Sequence, residues 1–430
     1  MEAECIPHMT GFDPYFVGIG KAVMPSLLSG CANFREITTD GKRMQTLFLY
    51  SILHKNRGVI NRMEHKLFFL LMMCLFLLTA CGNAETVTVF NEVTAQEIHI
   101  GVAYPVEAID ADTHFRRGVE LAAAQINESG GLLGRTLQLL IRDDEGDAHR
   151  AMQIANTFYE QGITAVVGHW GTNICYFVKD VYEENGVLLL MPAATGTMLF
   201  DYYHNYVFRM VANNQIFAQA MAQHMADNGF SRVAVFYNDD EYGLDFATVL
   251  EWELTRHNIV VIDRVTSISV ANVDAVTDRW RAFGSDAAVI AAPAADAIAA
   301  IRLIHAIDPT LPFYGDSFFG RISFLEAFYG YDITLYKATY QHGYMEMDFS
   351  NAFYAVHGFA PDLYAMSGYA AVRLIAEAIQ ATGSTCGTQL AAFVAGITDH
   401  PTIVGRLSHC GNSQEFEGFS ATVQRINTGG

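Results

Sequence analysis

Residues 163–197 read ITAVVGHWGTNICYFVKDVYEENGVLLLMPAATGT, and this stretch indicates the architecture of the chain. The runs Ile163–Val167 and Val187–Met191 are short, apolar and bounded by glycine or proline, which is typical of buried parallel strands. Between them, Asn173–Asn185 has the length of a helix and carries an apolar stripe at helical spacing. The unit predicts an α/β fold in which helices cover a parallel sheet.

Two small polar loops follow these two strands. Residues 168–173 (GHWGTN) open the predicted helix, and residues 192–197 (PAATGT) follow the second strand. Because open parallel sheets bind ligands at the carboxyl ends of their strands, we expect both loops to lie at a binding site. The free N–H groups of a helix start suit a carboxylate, and Thr172 and Thr195 add hydroxyl groups. A plain helix cap at Thr172 or Asn173 is the alternative interpretation.

The composition excludes several classes of function. A chain of 430 residues with 51% hydrophobic residues is long enough for about two or three domains. Its formal net charge of −20 disfavours nucleic acid and anionic lipid as partners. The sequence contains no Gly-x-Ser-x-Gly elbow, no His-Glu-x-x-His and no phosphate loop, so we predict neither an enzyme nor a cofactor or metal site.

A secretion signal is predicted well inside the chain. Met63–Lys66 supplies a short positive flank, and the apolar run Leu67–Leu78 is too short for an ordinary membrane span. The following letters LTAC resemble the bacterial lipoprotein cleavage box, in which the cysteine is lipidated. We therefore predict a signal peptide over residues 63–80 and a lipid anchor on Cys81, which would hold the protein outside the cytoplasm.

The segments on either side of this signal are not expected to form domains. Residues 1–62 show no sustained periodicity, and we interpret them as an upstream extension, with translation beginning at Met63. Residues 81–96 are polar and form a predicted tether. Export permits a disulfide bond, for which Cys386 and Cys410 are the candidate pair.

Strands and helices alternate over the rest of the chain. A second series of the same design begins near Gln215, and two such sheets leave a cleft between them. Tyr104–Thr113 is predicted to be an irregular loop. The chain returns from Ala338, and the predicted elements there are the strand Ala338–Gly343, the helices Asp348–His357 and Leu363–Thr382, and the strands Thr402–Ser408 and Phe419–Arg425.

Short motifs occur in a characteristic order along this part of the chain. They are Gly118–Ala122 (GVELA), Ile126-Asn127, Gly130-Gly131, Gly134, Asp143-Asp144, Gly168, Pro192–Thr195 (PAAT), Asp240–Gly243 (DEYG) and Tyr364–Tyr369 (YAMSGY). In this order and spacing they resemble the type I periplasmic binding proteins of the leucine/isoleucine/valine class, which capture solutes for ATP-driven importers. The resemblance covers essentially the whole chain from Ile98.

The resemblance implies two Rossmann-like lobes, joined by three hinge crossings, that close on a ligand. The implied N-terminal lobe comprises residues 97–212 and 342–400, and the C-terminal lobe comprises residues 213–341 and 401–430. The resemblance also implies an extracytoplasmic lipoprotein that binds a small amino-acid-like ligand, delivers it to the permease subunits of an ABC importer and acts as a monomer. A sensory lipoprotein that signals to a membrane receptor is the alternative.

Carried over by resemblance, the first lobe supplies most of the site. Thr172 would hold the ligand carboxylate. Ala193, through its carbonyl, and Thr195, through its hydroxyl and N–H, would hold the α-amino group and the carboxylate, and Ala194 lies between them in the same motif. Trp170 would wall the side-chain pocket, although a tryptophan of this kind also fits a hydrophobic core.

Two further site residues would come from the second lobe. Tyr242 would close over the ligand, and packing beside the hinge is its alternative role. Asp316 would pair with the ligand ammonium, and a helix cap is the alternative. The disulfide of the branched-chain members is absent, since Gly146 and Gly171 occupy its positions. The loop Ala291–Ala294 also lacks the aromatic residue expected opposite the ligand, which disfavours a branched aliphatic side chain. A larger amino acid, a short amide and a urea-like solute remain candidate ligands.

Overall fold

The computed structural model describes residues 97–200, 202–340, 346–409 and 415–429. The upstream extension 1–62, the signal peptide 63–80, the lipidated Cys81 and the tether 81–96 therefore lie outside the described residues. No helix within the described ranges is both long enough and apolar enough to cross a membrane.

The first sheet contains five parallel strands in the order β2-β1-β3-β4-β5. These strands are β1 (Glu97–Tyr104), β2 (Thr136–Asp143), β3 (Ala165–Gly168), β4 (Leu188–Met191) and β5 (Val207–Arg209). The helices between them are α1 (Val106–Asp112), α2 (Phe115–Glu128), α3 (Ala148–Glu160) and α4 (Thr172–Glu184). Both β3 and β4 are fully buried and pair directly, so the prediction from the opening stretch is confirmed.

A second series of strands and helices follows. Its strands are β6 (Arg232–Tyr237), β7 (Val260–Val265), β8 (Ala287–Ala291), β9 (Phe313–Gly315) and β10 (Leu335–Tyr340). Its helices are α5 (Asn214–Asp227), α6 (Glu241–Arg256), α7 (Val273–Ala282), α8 (Ala294–Ile307) and α9 (Ile322–Phe328). The strands pair in parallel in the order β7-β6-β8-β9-β10, which repeats the design of the first sheet.

The last part of the chain packs against the first sheet and adds a strand to the second. It contains α10 (Glu346–His357), α11 (Leu363–Thr382), α12 (Gly387–Ala395), β11 (His400–Thr402), β12 (Gly405–His409), β13 (Phe416–Glu417) and β14 (Ala421–Arg425). The three helices pack into the core of the first sheet, and β14 pairs antiparallel with β10 at the edge of the second. We call the first sheet with its helices the first lobe, and the second sheet with its helices the second lobe.

The predicted lobe boundaries differ from the observed cores at the end of the chain. We predicted the last crossing at residue 400, but Ile403, Leu407 and Phe416 are buried in the first core. The three-stranded antiparallel sheet β11-β12-β13 carries these residues and covers apolar surface of the first lobe, so the chain crosses between β13 and β14. At the first crossing, Met210 packs in the first core and Val211 in the second, close to the predicted boundary. The predicted crossing at 341/342 lies outside the described residues.

The sequence pattern did not reveal the short helices. The predicted loop Tyr104–Thr113 contains α1, and neither α9 nor α12 was predicted. The strand predicted at Ala338–Gly343 is β10, which starts three residues earlier. Helices of seven to nine residues complete only about two turns, so they present too few apolar positions to reveal a period.

A close approach between α2 and α11 gives a test of the first core. A Cβ atom at Gly118 would lie 2.1 Å from the carbonyl oxygen of Ala365. We therefore expect Gly118→Ala to lower the free energy of unfolding by about 1–3 kcal/mol, measured by urea denaturation. Gly320→Ala is the control, because its Cβ would meet only Lys337 Nζ at 3.8 Å. Equal unfolding midpoints for the two variants would contradict this packing.

Candidate functional site

A cavity of about 210 Å³ lies between the carboxyl ends of the two sheets. Loops after β1, β3 and β4 line it from the first lobe, and loops after β6, β8 and β9 line it from the second. This is the edge at which open parallel sheets bind ligands. The volume lies below the roughly 300–1,000 Å³ of pockets for drug-sized molecules, so it suits a smaller solute. Six of the predicted site residues line the cavity, namely Trp170, Thr172, Ala193, Thr195, Tyr242 and Asp316.

Ala194 is the predicted site residue that the structure places elsewhere. It is fully buried in the core between the first sheet and α4, where Met191 and Val178 are also buried, and it does not line the cavity. The two alanines of the PAAT motif therefore differ in position, since only Ala193 lines the cavity.

Thr172 connects the two loops of the first lobe. Its hydroxyl oxygen accepts the N–H of Gly196 at 2.9 Å. The cap position of α4 is Gly171, whose φ of 45° lies in the left-handed region, so the helix-cap interpretation of Thr172 and Asn173 is wrong. Gly196 must be a glycine here, because a Cβ would lie 2.3 Å from Thr172 Cγ2.

The first-lobe wall offers hydrogen-bond donors to the cavity. The start of α4 lies in this wall, so the positive end of the helix dipole is at the cavity. Thr195 is 6% exposed, and its hydroxyl has no hydrogen-bond partner within the described ranges. Its carbonyl is already used, because it accepts the N–H of Asn214 at 2.8 Å. This wall can therefore bind an anionic group.

The second-lobe wall presents a buried carboxylate. Asp316 is 1% exposed, its Oδ2 accepts the hydroxyl of Tyr242 at 2.6 Å, and its Oδ1 accepts the N–H of Phe318 at 2.9 Å. Asp316 therefore caps the short turn Ser317–Gly320, as its alternative interpretation had it, and also lines the cavity. Its pairing with a ligand ammonium stays a prediction. A carboxylate has about four lone-pair sites, so Asp316 can accept a further donor.

Burial raises the pKa of Asp316 above the ordinary value for a carboxyl group. The hydrogen bond from Tyr242, the Phe318 N–H and the charge of Arg321 act in the opposite direction without cancelling the effect of burial. Ionised Asp316 is therefore incompletely stabilised by the protein, and a cation bound in the cavity would stabilise it.

Trp170 and Tyr364 form an aromatic wall. The Trp170 ring centroid lies 5.2 Å from that of Phe115 and 5.1 Å from that of Tyr364. Trp170 is 6% exposed and also belongs to the first core, so it is both a core residue and a cavity residue.

Two hydrogen bonds near the cavity join the lobes directly. The N–H of Tyr242 donates to Asn173 Oδ1 at 3.1 Å, and the N–H of Thr197 donates to Asp245 Oδ2 at 3.0 Å. The hydroxyl of Thr197 donates to the same carboxylate. These contacts hold the two lobes against each other beside the cavity.

The histidine beside Trp170 does not line this cavity. His169 lies in a buried chain in which Nδ1 is 2.6 Å from Asp144 Oδ2 and Nε2 is 2.9 Å from the hydroxyl of Tyr182. This series of hydrogen bonds lies behind the loop that carries Thr172 and supports that loop. Within the part of the chain that the structure describes, no group of His, Cys, Asp or Glu has the arrangement of a metal site.

Sequence reasoning missed Arg321, which lines the cavity and is 9% exposed. No motif contains it, and it lies between two short elements that carry no periodic signal. One signal was available, because it is a basic residue five positions after Asp316 in a strongly acidic chain. Tyr364 and Phe318 also line the cavity. Tyr364 belongs to a quoted motif, but neither residue was assigned to the site.

Comparison with known proteins decides the family. The model of the family described as "Periplasmic binding protein" matches residues 97–419, which is most of the chain. The chain belongs to this family. Its members are extracytoplasmic solute-binding proteins and not enzymes.

The curated relatives are named for the binding of branched-chain amino acids. The Leu/Ile/Val-binding protein homolog 1 of Brucella abortus is 23% identical over 333 residues, which cover 73% of this chain and 86% of the relative. The Leu/Ile/Val-binding protein homolog 2 of that organism is 29% identical over 178 residues, which cover 41% of this chain and 46% of the relative. The Leu/Ile/Val-binding protein of Escherichia coli is 29% identical over 153 residues, covering 35% and 42%. The chain thus matches less than half the length of the last two relatives.

Solved structures share the fold. An ABC transporter substrate-binding protein from Desulfitobacterium hafniense, in complex with Leu, has a TM-score of 0.69 and 28% identity and covers 77% of this chain and 98% of its own. A leucine-binding protein from Thermotoga maritima has a TM-score of 0.64 and 18% identity, covering 77% and 99%. The predicted type I periplasmic binding protein fold is therefore confirmed.

Proposed function

We propose that this chain is an extracytoplasmic lipoprotein that captures a small amino-acid-like solute between its lobes for an ABC importer. The observation that carries this proposal is the chemistry of the two cavity walls. One wall offers a helix start and the hydroxyl of Thr195, and the other offers the buried carboxylate of Asp316. A zwitterion complements both walls at once.

The proposed ligand pose follows from these walls. The α-carboxylate binds the start of α4 and the hydroxyls of Thr172 and Thr195, where donors and the helix dipole favour negative charge. The α-ammonium binds Asp316 and the carbonyl of Ala193. Tyr242 fixes the orientation of the Asp316 carboxylate through its hydroxyl. The names of the curated relatives and the leucine in the Desulfitobacterium structure support an amino acid as ligand.

The proposal includes membrane attachment through Cys81 and a monomeric protein. The support is the sequence pattern over residues 63–81, which combines a positive flank, an apolar run and a cleavage box. We expect wild-type cells to incorporate radiolabelled palmitate into the protein and Cys81→Ala cells not to do so.

The ligand proposal is tested by thermal shift with the purified protein against the common amino acids, acetamide and urea. A ligand that binds only the folded state raises the melting temperature. We expect at least one amino acid to raise it and to bind with a stoichiometry of one in calorimetry. A rise with acetamide or urea and with no amino acid would contradict the zwitterion proposal.

Thr195→Val tests the first-lobe wall. The variant keeps the shape of the side chain and removes the hydroxyl, so we expect the Kd for the amino acid to rise about fivefold, equivalent to about 1 kcal/mol. The measurement is calorimetry. Thr157→Val, on the exposed face of α3, is the control. An unchanged Kd in Thr195→Val would place the carboxylate elsewhere.

A further inference from the structure

Arg321 is a buried cation in the wall of the cavity. Its guanidinium carbon lies 4.6 Å from the ring centroid of Phe318, 5.5 Å from that of Tyr364 and 5.8 Å from that of Trp170. These rings hold the guanidinium in place and leave the residue 9% exposed. The side chain is therefore ordered by packing before any ligand binds.

The hydrogen-bonding capacity of Arg321 is incompletely used. Its Nη1 lies 3.5 Å from Asp112 Oδ2, which is at the limit of a hydrogen bond. Its Nε is buried and has no hydrogen-bond partner among the described residues. The other oxygen of Asp112 accepts the N–H of Ser323 at 2.7 Å, so this carboxylate is shared between two donors. Arg321 therefore retains hydrogen-bond donor capacity for an additional acceptor.

The position of Arg321 indicates which part of a ligand it meets. The proposed sites for the α-carboxylate and α-ammonium lie at Thr195 and Asp316. Arg321 lies against Trp170 and Tyr364, which form the aromatic wall of the cavity. The part of an amino acid left to fill that region is its side chain.

We propose that Arg321 determines specificity by donating a hydrogen bond to an oxygen on the ligand side chain. The site then prefers amino acids with an amide or carboxylate side chain over branched aliphatic ones. This inference rests on the proposed function and specifies its ligand class. An aliphatic side chain would exclude water from Arg321 without supplying an acceptor, and sites that bind a polar group discriminate strongly against analogues that lack it.

The test compares leucine, glutamine and glutamate, which are similar in size, by calorimetry with the purified protein. We expect the wild type to bind glutamine or glutamate at least tenfold more tightly than leucine. In Arg321→Met, the affinity for the polar ligands falls and the affinity for leucine stays equal or rises, so the preference disappears. Preference for glutamine indicates that Asp112 neutralises Arg321, and preference for glutamate indicates an ion pair with the ligand.

Controls separate specificity from folding. Arg302→Met removes a guanidinium that lies over Phe328 and Tyr331 outside the cavity, and we expect it to leave the preference unchanged. Arg321→Gln keeps a donor at the site and should retain part of the preference if Arg321→Met is poorly folded.

Three outcomes would overturn the inference. Wild-type protein that binds leucine as tightly as both polar ligands would overturn it and leave the proposed function intact. An equal loss of affinity for all three ligands in Arg321→Met would mean that Arg321 binds the head group that the ligands share. Binding of none of the amino acids in the thermal-shift panel would overturn the inference together with the proposed function.

Discussion

Replacing Asp316 by asparagine is expected to raise the Kd for the amino acid ligand about a hundredfold. Asparagine keeps the size of the side chain and can still accept the N–H of Phe318, so the local turn should persist. The variant loses the negative charge that faces the ligand ammonium. Truncating one partner of a buried charge pair costs about 2–5 kcal/mol, and about 1.4 kcal/mol corresponds to a tenfold change in Kd.

The matched control is Asp362→Asn. Asp362 also caps a helix, accepting the N–H of Ala365 at 2.7 Å, and its side chain is 17% exposed. Burial also raises its pKa, but it does not line the cavity. We expect this control to bind the ligand as the wild type does. A Kd for Asp316→Asn within threefold of the wild-type value would contradict the role of Asp316.

The pH dependence of binding gives Asp316 a second signature. Only the ionised carboxylate pairs with an ammonium group, and burial raises the pKa of Asp316. The ligand stabilises the ionised form, so binding releases a proton near this pKa. Affinity in the wild type should therefore fall as the pH drops through the raised pKa, starting above the ordinary range for Asp, whereas Asp316→Asn should lose this dependence.

Replacing Asp245 by alanine is expected to raise the Kd about thirtyfold although Asp245 does not line the cavity. Its carboxylate accepts the N–H and the hydroxyl of Thr197 from the opposite lobe and the side-chain amide of Asn214 at 2.6 Å from its own lobe. Losing hydrogen bonds to a charged group destabilises the closed form by about 2 kcal/mol. Ligand binding then has to supply this free energy, because the ligand is held in the closed form.

The measurement pairs the Kd with the radius of gyration from small-angle scattering. We expect Asp245→Ala without ligand to be more expanded than the wild type and to contract when saturated. Asp227→Ala is the control, because Asp227 is bonded only to Gln223 on its own helix among the described residues. An unchanged Kd together with an unchanged radius would show that the Thr197–Asp245 contact does not stabilise closure.

The site was predictable where strands end in small polar loops. The stretch over residues 163–197 revealed both strands and the helix, and these elements place Thr172 and Thr195 in one wall of the cavity. The period of an apolar pattern follows directly from the backbone geometry of helices and strands. Long elements can therefore be recognised in the sequence by this period. The assignment of Asp316 and Tyr242 to the site came from the family resemblance. In the structure, the Tyr242 hydroxyl lies 2.6 Å from Asp316 Oδ2.

Other features depend on contacts between distant parts of the chain. The role of Arg321 requires Trp170, Tyr364 and Asp112 to meet it, and no local pattern encodes that meeting. Ala194 was assigned to the site because it lies inside a motif, but tertiary packing places it in the core. The small sheet β11-β12-β13, which carries Leu407, packs on the first lobe because of the apolar surface it covers, and sequence position alone does not reveal this contact.

The most direct test of the central claim is a crystal structure of the protein grown with the amino acid that raises its melting temperature most. The account predicts electron density for one ligand in the interlobe cavity. Its carboxylate should lie within hydrogen-bond distance of Thr195, and its ammonium should lie within that distance of Asp316. A ligand bound outside this cavity, or one whose ammonium group points away from Asp316, would contradict it.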